Sequence, residues 1–125
     1  MKTISKNLNL LSLNFSSNQI SKLDVSKHIS LKRLFCGDNP LGYLDVSENV
    51  NLTNLGCFDN NLSYINLSNN INLENLYCDL NFFKILDISK NLKLTKLFCS
   101  NNQLQSLDIS KNINLILDFY LCRGF

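Results

Sequence analysis

The chain repeats itself every 21 residues, and this period limits the folds open to it more than any other feature. Leu or Ile recurs at positions 23, 44, 65, 86 and 107, Cys at 36, 57, 78 and 99, and Asn at 18, 39, 60, 81 and 102. Two of the clearest copies are LDVSENVNLTNLGCFDNNLSY, at residues 44–64, and LDISKNLKLTKLFCSNNQLQS, at residues 86–106. A fixed period of about 20 to 50 residues indicates a solenoid, in which each copy buries its apolar side against the next.

The copies begin near residues 2, 23, 44, 65, 86 and 107, so residues 1–125 are predicted to form a single repeat domain. The register extends back to the first residues, where Thr3 and Phe15 replace the usual Asp and Cys, and we therefore expect no signal peptide. The pattern breaks after Leu115, because Asp118 occupies a Leu position. Residues 117–125 are expected to be a degenerate last turn that caps the core, or the frayed or frame-shifted end of a longer gene.

Composition excludes three other classes of chain. The 125 residues include 25 Leu and 21 Asn, and the hydrophobic content of 45% is enough to build a core, which excludes a charged disordered tail. Asn, Ser and Lys break every apolar run before it reaches the ~18 residues that a membrane helix needs. A net charge of +2 is too small to indicate a nucleic-acid partner.

Alternation within each copy predicts which side chains enter the core. In Leu34-Phe35-Cys36 the outer two side chains share one face of a strand and the middle one points away. Stacked copies are expected to pair these strands in parallel, ~4.8 Å apart, so that Leu34 and Cys36 point into a shared core with Leu31 and Leu41. The second half of each copy is expected to form a short extended or turn segment, because 21 residues leave little room for a helix.

Three polar or reactive columns are predicted to be structural. An Asn amide inside each turn can bond backbone groups that parallel pairing leaves free. The Asp column can bond its own turn, which favours a turn role over a calcium site; its members are Asp24, Asp45, Asp87 and Asp108, with Asn66 in place of one Asp. Stacking would spread the four aligned cysteines over ~14 Å, too far to converge on one zinc ion. We expect these cysteines to form a ladder of small buried hydrophobic residues with unpaired thiols.

Each copy contains the pattern LxxLxCxxNxL, which residues 31–41 spell as LKRLFCGDNPL. The longer pattern LxxLxCxxNxLxxLDLxxN resembles that of leucine-rich repeat proteins, and it is similar to the mostly bacterial IRREKO subclass, in which the second half of a repeat echoes the first. The resemblance covers about residues 2 to 117. It implies a leucine-rich repeat solenoid, a β-rich right-handed superhelix of the α/β type. Its parallel strands would line the concave face, and its convex side would hold short extended or turn segments with little or no α-helix. For function it implies a scaffold that binds proteins.

The sequence gives no positive sign of an active site. The one histidine, His28, aligns with Asn49, Asn70, Asn91 and Asn112 and is expected to be a turn residue. The chain has no Gly-rich phosphate loop, and no pair of carboxylates departs from the repeat pattern as a general acid and base would. We therefore expect a protein that is not an enzyme and that holds no cofactor or metal.

The variable outward positions around each Leu-x-Cys strand are predicted to form the binding surface. Phe35, Tyr77 and Phe98 share one column of that surface, and Phe58 lies beside it. Large aromatic side chains at outward positions are good interface anchors, unless a neighbouring loop or subunit covers them. The predicted partner-binding residues are Arg33, Phe35, Asp38, Phe58, Asp59, Tyr77, Asp79, Lys96 and Phe98.

Charge indicates the kind of partner. Residues 34–83 contain six acidic residues and no Lys or Arg, and three of the acids, Asp38, Asp59 and Asp79, fall on the predicted binding surface. We therefore predict a non-enzymatic interaction module that binds a protein with a basic or amphipathic segment.

Two other functions stay open. One is a structural element that stacks end to end through open solenoid ends, or a fragment of a longer repeat protein. The other is a carbohydrate-binding or host-facing surface module. The expected compartment is the cytoplasm, because no signal peptide is expected and the core cysteines are expected to be unpaired. Signal-less secretion as an effector is the alternative.

Overall fold

Five short strands stack in chain order in the computed structural model, which describes residues 6–116. They are β1 (Ser12–Asn14), β2 (Arg33–Phe35), β3 (Asn54–Gly56), β4 (Asn75–Tyr77) and β5 (Lys96–Phe98). All neighbours pair in parallel, and every residue lies opposite the residue 21 positions further on, as Leu34 lies opposite Leu55. The predicted solenoid is therefore confirmed. The described range contains no helix, and so none that could cross a membrane.

The core is a stack of aliphatic rungs shared between neighbouring coils. Leu31, Leu34, Cys36 and Leu41 are buried, as predicted, and so are their equivalents in the following coils. The middle residue of each strand, such as Leu34, is buried, whereas the flanking outward residues of most strands are exposed or half-buried. A single coil would leave this apolar side in water, so its stability comes from the coils above and below.

The predicted Asn column is confirmed as an internal ladder. The side-chain amide of Asn81 donates to the carbonyls of Cys57, Cys78 and Asp79 at 3.0, 3.2 and 3.1 Å. Its Oδ1 accepts the backbone N–H groups of Asn60 and Leu62 at 3.1 and 2.9 Å. One buried side chain therefore ties two coils together and satisfies backbone groups that the strands do not pair.

The residue before each of these Asn residues adopts the left-handed backbone conformation. The φ angles lie between 50° and 56° at Ser17, Asp38, Asp59, Leu80 and Asn101. This turn follows each strand directly and lets the next side chain enter the coil. Asp and Asn tolerate the conformation better than other residues with a Cβ.

A second ladder, which the sequence analysis did not identify, runs along the other half of the coils. Asn70 donates to the carbonyls of Val46 and Asn49, both at 3.0 Å, and the equivalent bonds recur in the neighbouring coils. The column consists of His28, Asn49, Asn70, Asn91 and Asn112, all buried. The expectation that His28 is an ordinary turn residue is therefore wrong: it is 2% exposed, because it occupies the first place of an internal column.

The cysteine column forms the expected buried ladder with one exception. Cys36, Cys57 and Cys78 are buried free thiols, and burial raises the pKa of Cys36 to about 12 and those of the other two as well. Cys99 is disulfide-bonded, so the prediction that all four thiols are unpaired is wrong. That prediction considered only pairing between neighbouring rungs. Cys99 has a cysteine rung on one side only, so that spacing does not limit its pairing.

The Asp column has the predicted turn role. In Asp24, Asp45, Asp87 and Asp108, Oδ1 accepts the N–H of the Ser two residues on at 2.9 to 3.0 Å, and Asn66 does the same. These hydrogen bonds lower the pKa of each carboxyl below 3.8. The predicted degenerate last turn at residues 117–125 lies outside the described residues, as do residues 1–5. The predicted domain limits stay a prediction.

Candidate protein-binding face

The outward side of the sheet, which we call the strand face, carries an aromatic row. The row holds the third residue of each strand, and Phe35, Gly56, Tyr77 and Phe98 follow one another in register. The rings of Tyr77 and Phe98 stack at a centroid distance of 5.2 Å and an angle of 13°. The rings of Phe35 and Tyr77 are 6.5 Å apart at 43°. All three rings are half-buried, so their remaining surface is open to a partner.

Two glycines, Gly37 and Gly56, allow the rings to interlock. Phe35 and Tyr77 are two rungs apart, which would separate them by ~9.6 Å if both stood upright on the sheet. Gly56 lies between them without a side chain, and a Cβ there would come within 2.6 Å of Cδ1 of Phe35. In the same way the ring of Phe58 covers Gly37, where a Cβ would overlap it. The sequence analysis treated both glycines as variable positions, although a Gly one rung from an aromatic residue was a visible sign.

A polar edge runs along one side of the aromatic row. It is formed by the first residue of each strand, which is Arg33, Asn54, Asn75 or Lys96 in register. Arg33 and Lys96 are exposed at the two ends, and the amides of Asn54 and Asn75 are half-buried between them. This polar edge therefore presents two positive charges separated by neutral hydrogen-bonding groups.

An acidic edge runs along the other side. Asp38 and Asp59 are exposed on neighbouring rungs, in the left-handed turn that follows each strand. Asp79 is half-buried one column nearer the row, in register with Phe58, and its Oδ1 accepts the N–H of Ser100 at 3.0 Å. Burial raises the pKa of the Asp79 carboxyl. The three predicted acids thus lie on one side of the aromatics, but they do not form a single column.

The chemistry of the strand face suits binding. No group of three or more His, Cys, Asp or Glu side chains that could hold a metal ion occurs within residues 6–116. The free thiols are buried with raised pKa values, which keeps them protonated and unreactive. The face presents aromatic planes between an acidic edge and a polar edge, and such an arrangement holds a ligand by contact and charge.

Two further apolar rows lie away from the strand face, and the sequence analysis missed both. Tyr43, Tyr64 and Ile85 are 66%, 63% and 78% exposed, and Tyr43 borders a groove of about 190 Å³ between two Asp turns. A second row of exposed aliphatic side chains follows the buried column of the second ladder; its members are Ile29, Val50, Ile71, Leu92 and Ile113. Both rows recur at the 21-residue period and were therefore readable from the sequence. They supply control positions for tests of the strand face.

Comparison with solved structures finds the same architecture in bacterial proteins. An internalin, InlF of Listeria monocytogenes, superposes with a TM-score of 0.83 and 24% identity over 87% of this chain. The functional domain of InlJ from the same organism, described as including a cysteine ladder, gives a TM-score of 0.55 and 27% identity over 91%. A leucine-rich repeat protein of Leptospira interrogans gives a TM-score of 0.63 and 23% identity over 85%.

The chain spans only 34%, 35% and 36% of the lengths of InlF, InlJ and the Leptospira protein. No protein-family model matches the chain, and no curated protein matches it. The shared feature is the stack of parallel strands with buried leucines, one strand per coil. The chain is therefore a leucine-rich repeat solenoid.

Proposed function

We propose that the chain is a non-enzymatic protein-interaction module that binds a partner segment on its strand face. The observation that carries this proposal is the interlocked aromatic row of Phe35, Tyr77 and Phe98, half-buried and stacked on a parallel sheet. Rings that already hold each other lose little conformational freedom when a partner covers them. Aromatic side chains at the centre of a surface, with polar rows on both sides, match the composition of energetic centres in protein interfaces.

The charges around the row indicate a basic or amphipathic segment as the ligand. Asp38, Asp59 and Asp79 line one side of the aromatics, and residues 34–83 contain no Lys or Arg. A Lys or Arg side chain of the partner could place its stem on Phe58 and its charge near Asp59. Attraction of a cation to a ring face adds about 0.5 to 2 kcal/mol.

A peptide selection tests the proposal. The chain is immobilised and a random peptide library is panned on the wild type, on F35A/Y77A and on the control variant Y43A/Y64A. The control removes two exposed tyrosines that lie away from the strand face. Circular dichroism and thermal unfolding check that each variant is folded, and F35L/Y77L serves if the alanine variant is not.

The proposal predicts that the wild type and Y43A/Y64A enrich the same peptides, rich in Lys or Arg and apolar residues. The strand-face variant should bind these peptides at least tenfold more weakly. Equal affinity of all three proteins for the selected peptides would overturn the strand-face assignment. Loss of binding in Y43A/Y64A alone would place the site elsewhere.

Two other ligands can be tested on the same variants. A carbohydrate is the second candidate, because aromatic planes beside carboxylates also suit a sugar; glycan binding that F35A/Y77A abolishes would replace the protein partner. Self-association is the third, because β1 and β5 are the outer strands of the described sheet and could pair with another copy. Light scattering would then show a mass that rises with concentration in both surface variants.

The remaining expectations join this proposal. The 21-residue period supports membership of the IRREKO subclass. We propose the cytoplasm as the compartment, or secretion as an effector without a signal peptide. The buried free thiols of Cys36, Cys57 and Cys78 support the cytoplasm, whereas the disulfide of Cys99 counts against it. Trapping of free thiols in intact cells, followed by mass spectrometry of Cys99, decides between a reducing and an oxidising location.

A further inference from the structure

The backbone of the strand face has no hydrogen bonds to offer a partner. The strands from β1 to β5 pair with one another in register, and the N–H groups on either side of them bond to neighbouring coils. An extended peptide laid over the aromatic row would leave its own N–H and C=O groups unpaired against the rings, which is costly. A helical segment satisfies its backbone internally and avoids this cost.

The spacing of the rings also fits a helix. The steps between ring centroids along the row are 6.5 and 5.2 Å. One turn of α-helix advances ~5.4 Å, which lies between these two steps, and presents about one apolar side chain per turn on a given face. Same-face side chains of a strand repeat at ~6.6 to 6.8 Å and exceed both steps. A helix running along the solenoid axis can therefore place a side chain beside each successive ring.

The two edges of the row differ in charge, which constrains the helix further. One edge holds Asp38, Asp59 and Asp79, and the other holds Arg33 and Lys96 with two amides between them. A helix lying between the edges meets carboxylates on one side only. Lysines on both sides of such a helix would bring one set towards Arg33 and Lys96, where like charges repel.

We propose that the partner segment is an amphipathic α-helix that lies along the aromatic row with its Lys and Arg residues on one edge and uncharged polar residues on the other. This inference rests on the proposed function, because it names the ligand of the same surface. It goes further in fixing the conformation, the direction of the axis and the charge pattern of that ligand.

Three synthetic peptides of 18 residues serve as probes. The first has a Leu stripe, Lys along one edge and Gln along the other, with a side-chain lactam that holds it helical. The second has the same composition without the lactam and with two central Pro residues, which prevent the helix. The third is the lactam peptide with Lys on both edges. Fluorescence anisotropy measures the Kd of each peptide for the wild type and for R33Q/K96Q.

The wild type should bind the one-edged helix at least tenfold more tightly than the Pro peptide, and about threefold or more tightly than the two-edged helix. R33Q/K96Q should remove the second difference and keep the first. Both replaced residues are exposed, so this variant does not endanger the fold. Equal or tighter binding of the Pro peptide, or the same two-edge penalty in R33Q/K96Q, would overturn the inference.

The failure of this inference differs from failure of the proposed function. If peptides selected on the strand face bind in a way that depends on Phe35 and Tyr77 but none of the three helical probes does, the helix is wrong and the interaction module stands. If the probes bind F35A/Y77A as well as the wild type, both are wrong. Loss of probe binding in I71S/L92S alone would move the helix to the exposed aliphatic row and overturn the assignment.

Discussion

Leu80 occupies a backbone conformation that its side chain disfavours. Its φ angle is 54°, and the equivalent residues in other coils include Asp38, Asp59 and Asn101, which tolerate this region better. Leu80 is also 50% exposed, so its side chain contributes little packing. We expect Leu80→Asn to raise the free energy of unfolding by about 1 kcal/mol and Leu80→Val, with a branched Cβ, to lower it. Urea unfolding measures both; an L80N variant less stable than the wild type would contradict this account of the turn.

Asp79 and Asp24 should respond to pH in opposite ways. Burial raises the folded-state pKa of Asp79, so its ionisation costs stability, and this loss is complete at pH values above the folded pKa. Hydrogen bonds to Ser26 lower the pKa of Asp24, so its ionisation adds stability above pH 3.8, which is lost as pH falls through the folded pKa.

Each carboxyl can be replaced by Asn, which still accepts the backbone hydrogen bond, as Asn66 does in the Asp column. We expect D79N to be more stable than the wild type at pH 7 and D24N to be less stable. Both differences should shrink as the pH is lowered below about 3.8. Thermal unfolding from pH 7 to pH 3 measures them, and a difference of the same sign for both variants would refute the assignment.

The two Asn ladders differ in what they hold together. Asn81 is the acceptor for the N–H groups of Asn60 and Leu62, which the first ladder alone satisfies. Asn70 donates to two carbonyls that already accept backbone N–H groups, from Asn49 and Leu52. Removing Asn81 therefore orphans two buried donors, whereas removing Asn70 only weakens carbonyls that keep a partner.

We expect N81A to cost about 3 kcal/mol or more of unfolding free energy, because an unsatisfied buried group costs ~1 to 3 kcal/mol. N70A should cost about 1 to 2 kcal/mol, since it loses two ordinary hydrogen bonds. Both Asn residues are almost fully buried, so the pair is matched in burial. Chemical denaturation of the two variants under identical conditions checks the order, and a reversed order would show that the ladders are misassigned.

The aromatic row depends on the gap at Gly56. A methyl group there meets the ring of Phe35, so G56A should lower stability by about 1 to 3 kcal/mol in the wild type. In an F35A background the ring is absent, and G56A should be neutral or slightly stabilising, because Gly in a strand costs ~0.5 to 1 kcal/mol. A double-mutant cycle measures the coupling. A coupling near zero would mean that the ring does not lean over Gly56.

At the scale of the whole chain, much of the fold was readable from the sequence because each residue type holds a fixed place in a 21-residue period. Strand alternation, the shared core, the first Asn ladder and the Asp turns all follow from local chemistry repeated in register. The second ladder was missed because the segment of residues 44–49, LDVSEN, was treated as an echo without assigning its Asn the role of Asn39. The burial of His28 follows from that same omission.

The strand face was predictable in part. Alternation placed the aromatic column on the outward side, and the charge count placed acids beside it. The lean of Phe35 over Gly56 and the half-burial of Asp79 depend on rotamers and on a one-residue difference in column, which a pattern of residue types does not specify. The disulfide of Cys99 was missed because the sequence argument considered only pairs within the Cys column.

The central claim is that a partner covers the aromatic row of the strand face, and ring signals in NMR test it most directly. The chain is labelled with ¹³C in its Phe and Tyr rings and titrated with a peptide obtained from the selection. The account predicts that the ring signals of Phe35, Phe58, Tyr77 and Phe98 shift together with one Kd, while those of Tyr43 and Tyr64 stay fixed. Shifts confined to Tyr43 and Tyr64, with the four strand-face rings unmoved, would contradict it.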